Sequence, residues 1–180
     1  MSHYRRAVQP GGSFFFTVVT YRRQPWLVEA AARAALREAI TRTREKHPFS
    51  IDAWVLMPDH LHCIWTLPPG DSDFATRWSL IKRRVSMALG ESLHIEAWMS
   101  ASKEKHREST LWQRRYFEHT LRDDADFARW VDYIHYNPVK HGHATRVVGW
   151  PWSSFHRYVA TGLCASDWAG DSSAEAFGEE

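Results

Sequence analysis

IDAWVLM (51–57), PD (58–59) and HLHCIWTL (60–67) form the stretch on which the fold turns. Both flanking runs are rich in β-branched and aromatic residues, and Pro-Asp is a turn dipeptide, so the segment reads as a β-hairpin. Side chains alternate across a strand. Leu61, Cys63, Trp65 and Leu67 therefore make one apolar face, expected to pack on a helix, and His60 and His62 share the opposite face.

Outward from the hairpin the pattern stays regular. FFFTVVT (14–20) follows Pro10-Gly11-Gly12 and reads as a strand. Residues 29–46 place Ala32, Ala35, Leu36, Ala39 and Ile40 at helical spacing, which predicts an amphipathic helix with a basic outer face, stopped near Pro48. Residues 73–90 predict a second helix ending at Gly90, with Trp78, Ile81, Val85 and Leu89 near one face and Lys82, Arg83 and Arg84 clustered beside it. Residues 91–110 read as an irregular loop and 112–122 as a further strand. Asp123 is a helix N-cap with Asp126 three residues on, and Pro138 predicts that this helix stops at about Asn137. A short helix or turn follows at Ser153–Val159, and a loose tail from Thr161. The order β-α-β-β-α-β-α implies an α+β sandwich, with helices against a mainly antiparallel sheet.

Composition sets the class. The chain has 180 residues, 44% of them hydrophobic and 24% charged, which fits one globular domain. We expect that domain to span residues 1–160, with 161–180 as an acidic, flexible tail. Two cysteines, Cys63 and Cys164, cannot make a disulfide framework, so a reducing compartment fits best. MSHYRRAVQPGG carries no apolar core of a signal peptide, and the longest strongly apolar run, Phe14 to Val19, is far too short to cross a bilayer. The expectation is a soluble cytoplasmic protein with no membrane partner.

Charge is unevenly placed. The net charge is +2, but residues 161–180 hold five acidic residues and no Lys or Arg, so residues 1–160 carry +7. The first 47 residues alone carry +6. A basic body with 10 Trp, 6 Tyr and 9 Phe suits a phosphate backbone and exposed bases, although an aromatic core with a solvated surface has the same composition.

Two sets of residues could do chemistry. His60 and His62, at i and i+2 on one strand face, can point at one ion, and neutral imidazole is a good ligand for divalent metals. Taken alone, such a pair is more often two surface histidines on a half-buried sheet. On the helix 123–137, Phe127, Trp130, Val131 and Ile134 form the core stripe. Tyr133 and Asn137 lie one turn apart on one flank of it, with Asp126 on the same side; His135 lies on the other flank and Tyr136 points away. A phenol can be a nucleophile and an amide oxygen can complete a metal site. A tyrosine at the sheet edge and an asparagine capping the helix would look the same.

MPDHLHCIWTLP (57–68), LWQRRYFEHTLRDDADFARWVDYIHYNPVKHG (111–142) and WPWSSFHRY (150–158) together resemble the REP-associated tyrosine transposases of the HUH superfamily. The likeness runs through most of residues 4–170, in order and with matching spacing. It implies a ferredoxin-like α+β sandwich and a metal-dependent single-stranded DNA endonuclease and strand transferase. By motif, His60 and His62 match the metal-binding pair, Asn137 the third ligand and Tyr133 the nucleophile that forms a covalent phosphotyrosine. The implied cofactor is Mg²⁺ or Mn²⁺, and the implied partner is hairpin-forming single-stranded DNA from repeated palindromes.

Arg5, Arg6, Arg22, Arg23, Lys82, Arg83 and Arg84 are candidates for phosphate contacts. The oligomeric state could be monomer or dimer. Two other functions stay open on the residues alone: a hairpin-binding protein without catalysis, and a metal phosphodiesterase that uses water.

Overall fold

The computed structural model describes residues 11–170. Its elements are β1 (Ser13–Val19), α1 (Ala30–Lys46), β2 (Ser50–Leu56), β3 (His60–Thr66), α2 (Phe74–Leu93), α3 (Ala101–Lys105), β4 (Phe117–Thr120), α4 (Asp124–Lys140) and α5 (Phe155–Ala160). The four strands form one sheet in the order β2-β3-β1-β4, and every pairing is antiparallel. A β-α-β-β-α-β chain order closing on that sheet is the ferredoxin-like arrangement. The expected α+β sandwich is borne out.

Each face of the sheet is covered by different helices. Phe14, Phe16 and Val18 of β1 and Leu61, Cys63 and Trp65 of β3 pack with Leu36 of α1 and Trp78, Ile81 and Val85 of α2. Phe15, Val55 and Ile64 point the other way, onto Trp130, Val131 and Ile134 of α4. A sheet covered on both faces explains why FFFTVV reads as an unbroken apolar run rather than as alternation. The register sets Thr17 opposite both His62 and Phe117, and Val19 opposite His60, so the polar positions share the α4 face near one end of the sheet.

The second helix does not end at Gly90 but runs on to Leu93, and four further expectations need correction. The segment 91–110 holds more than loop: α3 sits within it, started by Ser100, whose hydroxyl accepts from the Lys103 amide. The strand predicted over 112–122 is only the four residues of β4, preceded by a single bridge between Thr20 and Trp112. The fourth helix does not stop at Asn137 but runs through Pro138 to Lys140. A proline removes one N–H and crowds the preceding turn; in the last turn this loss is small, and the helix end is held by bonds from His141 N to Asn137 O (3.0 Å) and from His143 N to Pro138 O (2.8 Å). Residues 161–170, expected to be loose, lie against the helices: Trp168 meets Phe155, and Gly170 sits tight on the Tyr136 ring. A Cβ at Gly170 would fall 2.6 Å from Tyr136 Cδ2, and its φ of +97° also favours glycine. Residues 171–180, the acidic end of the tail, lie outside the described residues. Among the described residues no helix is long and apolar enough to cross a membrane.

Candidate active site

β3 places His60 and His62 on the α4 face, and α4 lays Tyr133 and Asn137 over them. The relative exposures of His60, His62, Tyr133 and Asn137 are 5%, 3%, 6% and 0%. These are not surface histidines, and Tyr133 and Asn137 lie deeper than a position on the flank of the core stripe implies. The His60 and His62 rings meet edge to face with centroids 4.8 Å apart, and the Tyr133 ring lies 5.1 Å from that of His62. Asn137 is interior to α4, so it does not cap the helix.

The surrounding residues fix how the imidazoles present themselves. His60 Nδ1 lies 2.7 Å from Asp59 Oδ1. Burial would raise the Asp59 carboxyl, but the bonds from His60 and Arg23 overcome this and hold it at about 2. An ionised carboxylate only accepts, so His60 Nδ1 is the donor, and Nε2 is the ring nitrogen not committed to Asp59. That carboxylate–histidine pairing is the usual support of a metal-binding imidazole. His62 Nδ1 lies 2.9 Å from the Thr17 hydroxyl. Burial, then the nearby His60, His141, Lys140 and Arg23, push the His62 pKa well below its ordinary value, so the ring is neutral.

Three buried atoms here have no hydrogen-bond partner: His62 Nε2 and both amide atoms of Asn137. A buried polar group left unpaired costs about 1–3 kcal/mol, so three in one place mark a built site rather than a packing accident. Among the described residues no three His, Cys, Asp or Glu side chains group to hold an ion. Two imidazoles and an amide oxygen fit a divalent cation, and they leave other coordination positions for water or phosphate oxygen.

Several residues at this site escaped the sequence reading. Lys140 Nζ lies 5.3 Å from the centre of the Tyr133 ring, and His141 lies 5.6 Å from His60, ring to ring. Burial, then His60, Lys140 and His143, lower the His141 pKa. Both residues sit beyond Pro138, where the helix was expected to have ended; their spacing of seven from Tyr133 and four from Asn137 was the available signal. Asp59 had been read only as a turn residue, and Thr17 only as part of a strand.

The candidate phosphate-contact residues separate. Arg23 pairs with Asp59 (3.1 Å), and Arg22 lies over Trp98 at 5.0 Å. Both take left-handed backbone angles, φ 55° for Arg22 and 52° for Arg23. Such angles are costly for a side-chain-bearing residue and gather at functional sites. Lys82 turns inward to the Gln113 carbonyl (2.9 Å), Arg83 is exposed, and Arg84 bonds Thr43 of α1 (3.2 Å). Arg5 and Arg6 lie outside the described residues. Asp126 is on the Tyr133 side of α4 as expected, but it serves the fold: it accepts from His119 (3.0 Å) and Arg122 (3.2 Å).

The family model described as Transposase IS200 like matches residues 13–137. The chain belongs to this family. It is 44% identical over 171 residues to the REP-associated tyrosine transposase of Escherichia coli (strain K12), a match covering 95% of this chain and 93% of the relative. A solved structure of a REP-associated tyrosine transposase bound to a REP hairpin superposes on it with a TM-score of 0.80 at 44% identity, covering 95% of this chain and 93% of that one. The likeness to REP-associated tyrosine transposases drawn from the motifs is borne out, and with it membership of the tyrosine transposases as an enzyme class. Within this IS200-like chain, the matched residues span β1 to Asn137, so they include the hairpin histidines and Tyr133.

Proposed function

We propose that this IS200-like transposase cuts and rejoins hairpin-forming single-stranded DNA in the cytoplasm, with Tyr133 as the nucleophile. The observation that carries the reading is the placement of the Tyr133 ring 5.1 Å from His62, beside the unpartnered His62 Nε2 and Asn137 amide. A phenol, two imidazoles and a carboxamide meet on one buried face.

The chain's own groups explain the chemistry. The Tyr133 oxygen attacks the scissile phosphorus in line; one P–O bond forms as another breaks, the phenol gives up its proton, and the departing sugar oxygen takes one up. The product is a phosphotyrosine and a free hydroxyl. Because the link keeps the phosphodiester's bond energy, the hydroxyl of a second strand can displace the tyrosine with no nucleotide triphosphate. A tyrosine ordinarily titrates near 10, so its oxygen needs help, and the Lys140 ammonium above the ring favours the phenolate. Asp59 holds His60 in the tautomer that presents Nε2. A divalent ion, Mg²⁺ or Mn²⁺, would be held by His60, His62 and Asn137 and would polarise the scissile phosphate. Arg22, Arg23 and Arg83 border the path of the strand as phosphate contacts.

The test is incubation of the full chain with hairpin-forming single strands and Mn²⁺, followed by a denaturing gel. A protein–DNA band that resists denaturation is the expected result. Hairpin binding with no adduct would leave a non-catalytic binder, and cleavage without an adduct would leave a hydrolase that uses water.

A further inference from the structure

His60 is steadied from outside the active site by a strained turn. Each carboxylate oxygen of Asp59 has a different partner: Oδ1 lies 2.7 Å from His60 Nδ1, and Oδ2 accepts from Arg23 at 3.1 Å. The same turn fixes the Asp59 backbone. The amide of the buried Thr20 donates to the Asp59 carbonyl (2.9 Å), and its hydroxyl lies 2.9 Å from that oxygen. Arg22 and Arg23 both keep left-handed angles, and two such residues in a row persist only where their surroundings over-determine them. Those surroundings come from the segment between α2 and β4. The Tyr21 amide donates to the Leu111 carbonyl (2.8 Å). Lys103, buried in α3 and anchored on the Ser109 carbonyl (3.1 Å), sets its ammonium 4.0 Å from the centre of the Tyr21 ring. Trp98 lies 5.9 Å from that ring and 5.0 Å from the Arg22 guanidinium.

We infer that Arg23 is a positioning residue for the cleavage reaction: it fixes the Asp59 carboxylate that orients His60, and the segment 94–111 holds Arg23 in place by clamping the turn that carries it. A carboxylate held at one oxygen alone can turn about its bond to Cβ. With Arg23 on the second oxygen, Asp59 presents Oδ1 to His60 in one direction. Outer partners of this kind set how well an imidazole takes a metal, and losing one costs about 10–100-fold in affinity. The Arg23 side chain is 55% exposed, and a guanidinium has five N–H donors, so it can keep Asp59 and meet a phosphate of the strand as well. The inference rests on the reading of His60, His62 and Asn137 as ligands of a divalent ion, and it adds the residues that hold that set from outside.

The experiment measures Mn²⁺ binding to the full chain without DNA, by calorimetry, so that neither phosphate contacts nor turnover enters. Arg22 and Arg23 are exposed, so substitutions there leave the core untouched. Arg23→Gln should raise the Kd about tenfold. Arg23→Lys, which keeps a charge for Asp59, should recover most of that loss. Trp98→Ala and Arg22→Asn each remove the stack on the turn, and asparagine tolerates the left-handed angle, so the second variant loses the stack alone. Each should raise the Kd about threefold, less than Arg23→Gln because the ion pair itself is kept. Neither should add to the loss in Arg23→Gln, since all act along one chain of contacts. Equal Mn²⁺ affinity in native and Arg23→Gln protein, or a loss in Arg23→Lys as deep as in Arg23→Gln, would overturn the inference and leave the ligand set standing. Additive losses in Arg23→Gln/Trp98→Ala would overturn the role of segment 94–111. A native chain that binds no Mn²⁺, or binds it as well after His60→Ala, would bring down both readings.

Discussion

The two faces of the sheet differ in which buried polar groups they satisfy. On the α1/α2 face a single guanidinium, Arg77, is 1% exposed, and its charge is met by five hydrogen bonds: to the carbonyls of His47, Pro48 and Asp73 and twice to the Asp71 carboxylate. On the α4 face, equally buried His62 and Asn137 keep three polar atoms unpaired. Both faces belong to one fold, so the difference is not poor packing. The α1/α2 face satisfies its buried charge and leaves indole N–H groups, those of Trp65, Trp78 and Trp112, unpaired; the α4 face leaves open an imidazole nitrogen and a carboxamide, groups of a kind that can take a cation. Unpaired groups cost stability in the free protein, and that cost is tolerated where it is recovered on binding.

Tyr133→Phe gives the largest effect that separates the faces. It removes one oxygen from the α4 face, and the covalent adduct should vanish altogether, while thermal stability shifts by no more than about 1 kcal/mol. Tyr136→Phe, on the outer side of α4 under Gly170, should retain the adduct. Mass spectrometry of the trapped species decides: a nucleotide on Tyr136 would remove Tyr133 from the mechanism.

Next in size are the donors themselves. His60→Ala and His62→Ala should each lower cleavage by at least about a hundredfold and leave hairpin affinity within a few-fold, because affinity comes chiefly from phosphate contacts. A chelator should reproduce the loss in the native chain, and Asn137→Ala should raise the Mn²⁺ concentration needed for half-maximal cleavage. Chelator-resistant cleavage would show that these atoms are open for some other reason.

How much of this contrast could be read in the sequence depends on what each feature needs. The β2–β3 hairpin, β1 and α1 were legible because their patterns are local: a two-residue turn, a β-branched run, an alanine-rich amphipathic period. The wheel also placed Tyr133 and Asn137 side by side, since angle around a helix is local too. It could not give their depth, because burial depends on which strand lies beneath. Lys82 read as a candidate phosphate contact, and Arg77 carried no signal of its own; each has a carbonyl acceptor roughly 30 residues away. Lys140 and His141 were lost to a rule about proline that holds for helix interiors and is weak in a last turn.

The α1/α2 face offers the matching stability test. Arg77→Met keeps the volume but leaves the carbonyls of His47, Pro48 and Asp73 without their donor. It should lower unfolding free energy by about 4 kcal/mol, as breaking a buried ionic network does. Urea denaturation reads this directly. Adduct formation per folded molecule should be unchanged, since Arg77 lies on the face away from Tyr133. A loss of activity larger than the loss of folded protein would mean that the two faces are coupled.

The smallest effect concerns a histidine on α4 that faces away from the active site. His135 is buried, with Nε2 2.9 Å from the Ser154 hydroxyl and its ring against Phe155 and Tyr158. Burial, then the Arg157 guanidinium, lowers its pKa from 6.5 to about 4. The folded chain therefore refuses a proton that the unfolded chain accepts. Its contribution is fully present above pH 6.5, declines as pH falls toward 4, and is constant below that. By pH 4 the loss reaches at most about 3 kcal/mol. His62 titrates in the same direction, so the slope of the native chain alone does not isolate His135. His135→Gln does, because the amide can still donate to Ser154 and cannot protonate. The stability gap between native and His135→Gln protein should be widest at pH 7 and should shrink as pH approaches 4. A gap independent of pH would mean that His135 takes up its proton as readily in the folded chain as in the unfolded one, and a gap that widens toward pH 4 would require an acidic partner beside it rather than Ser154.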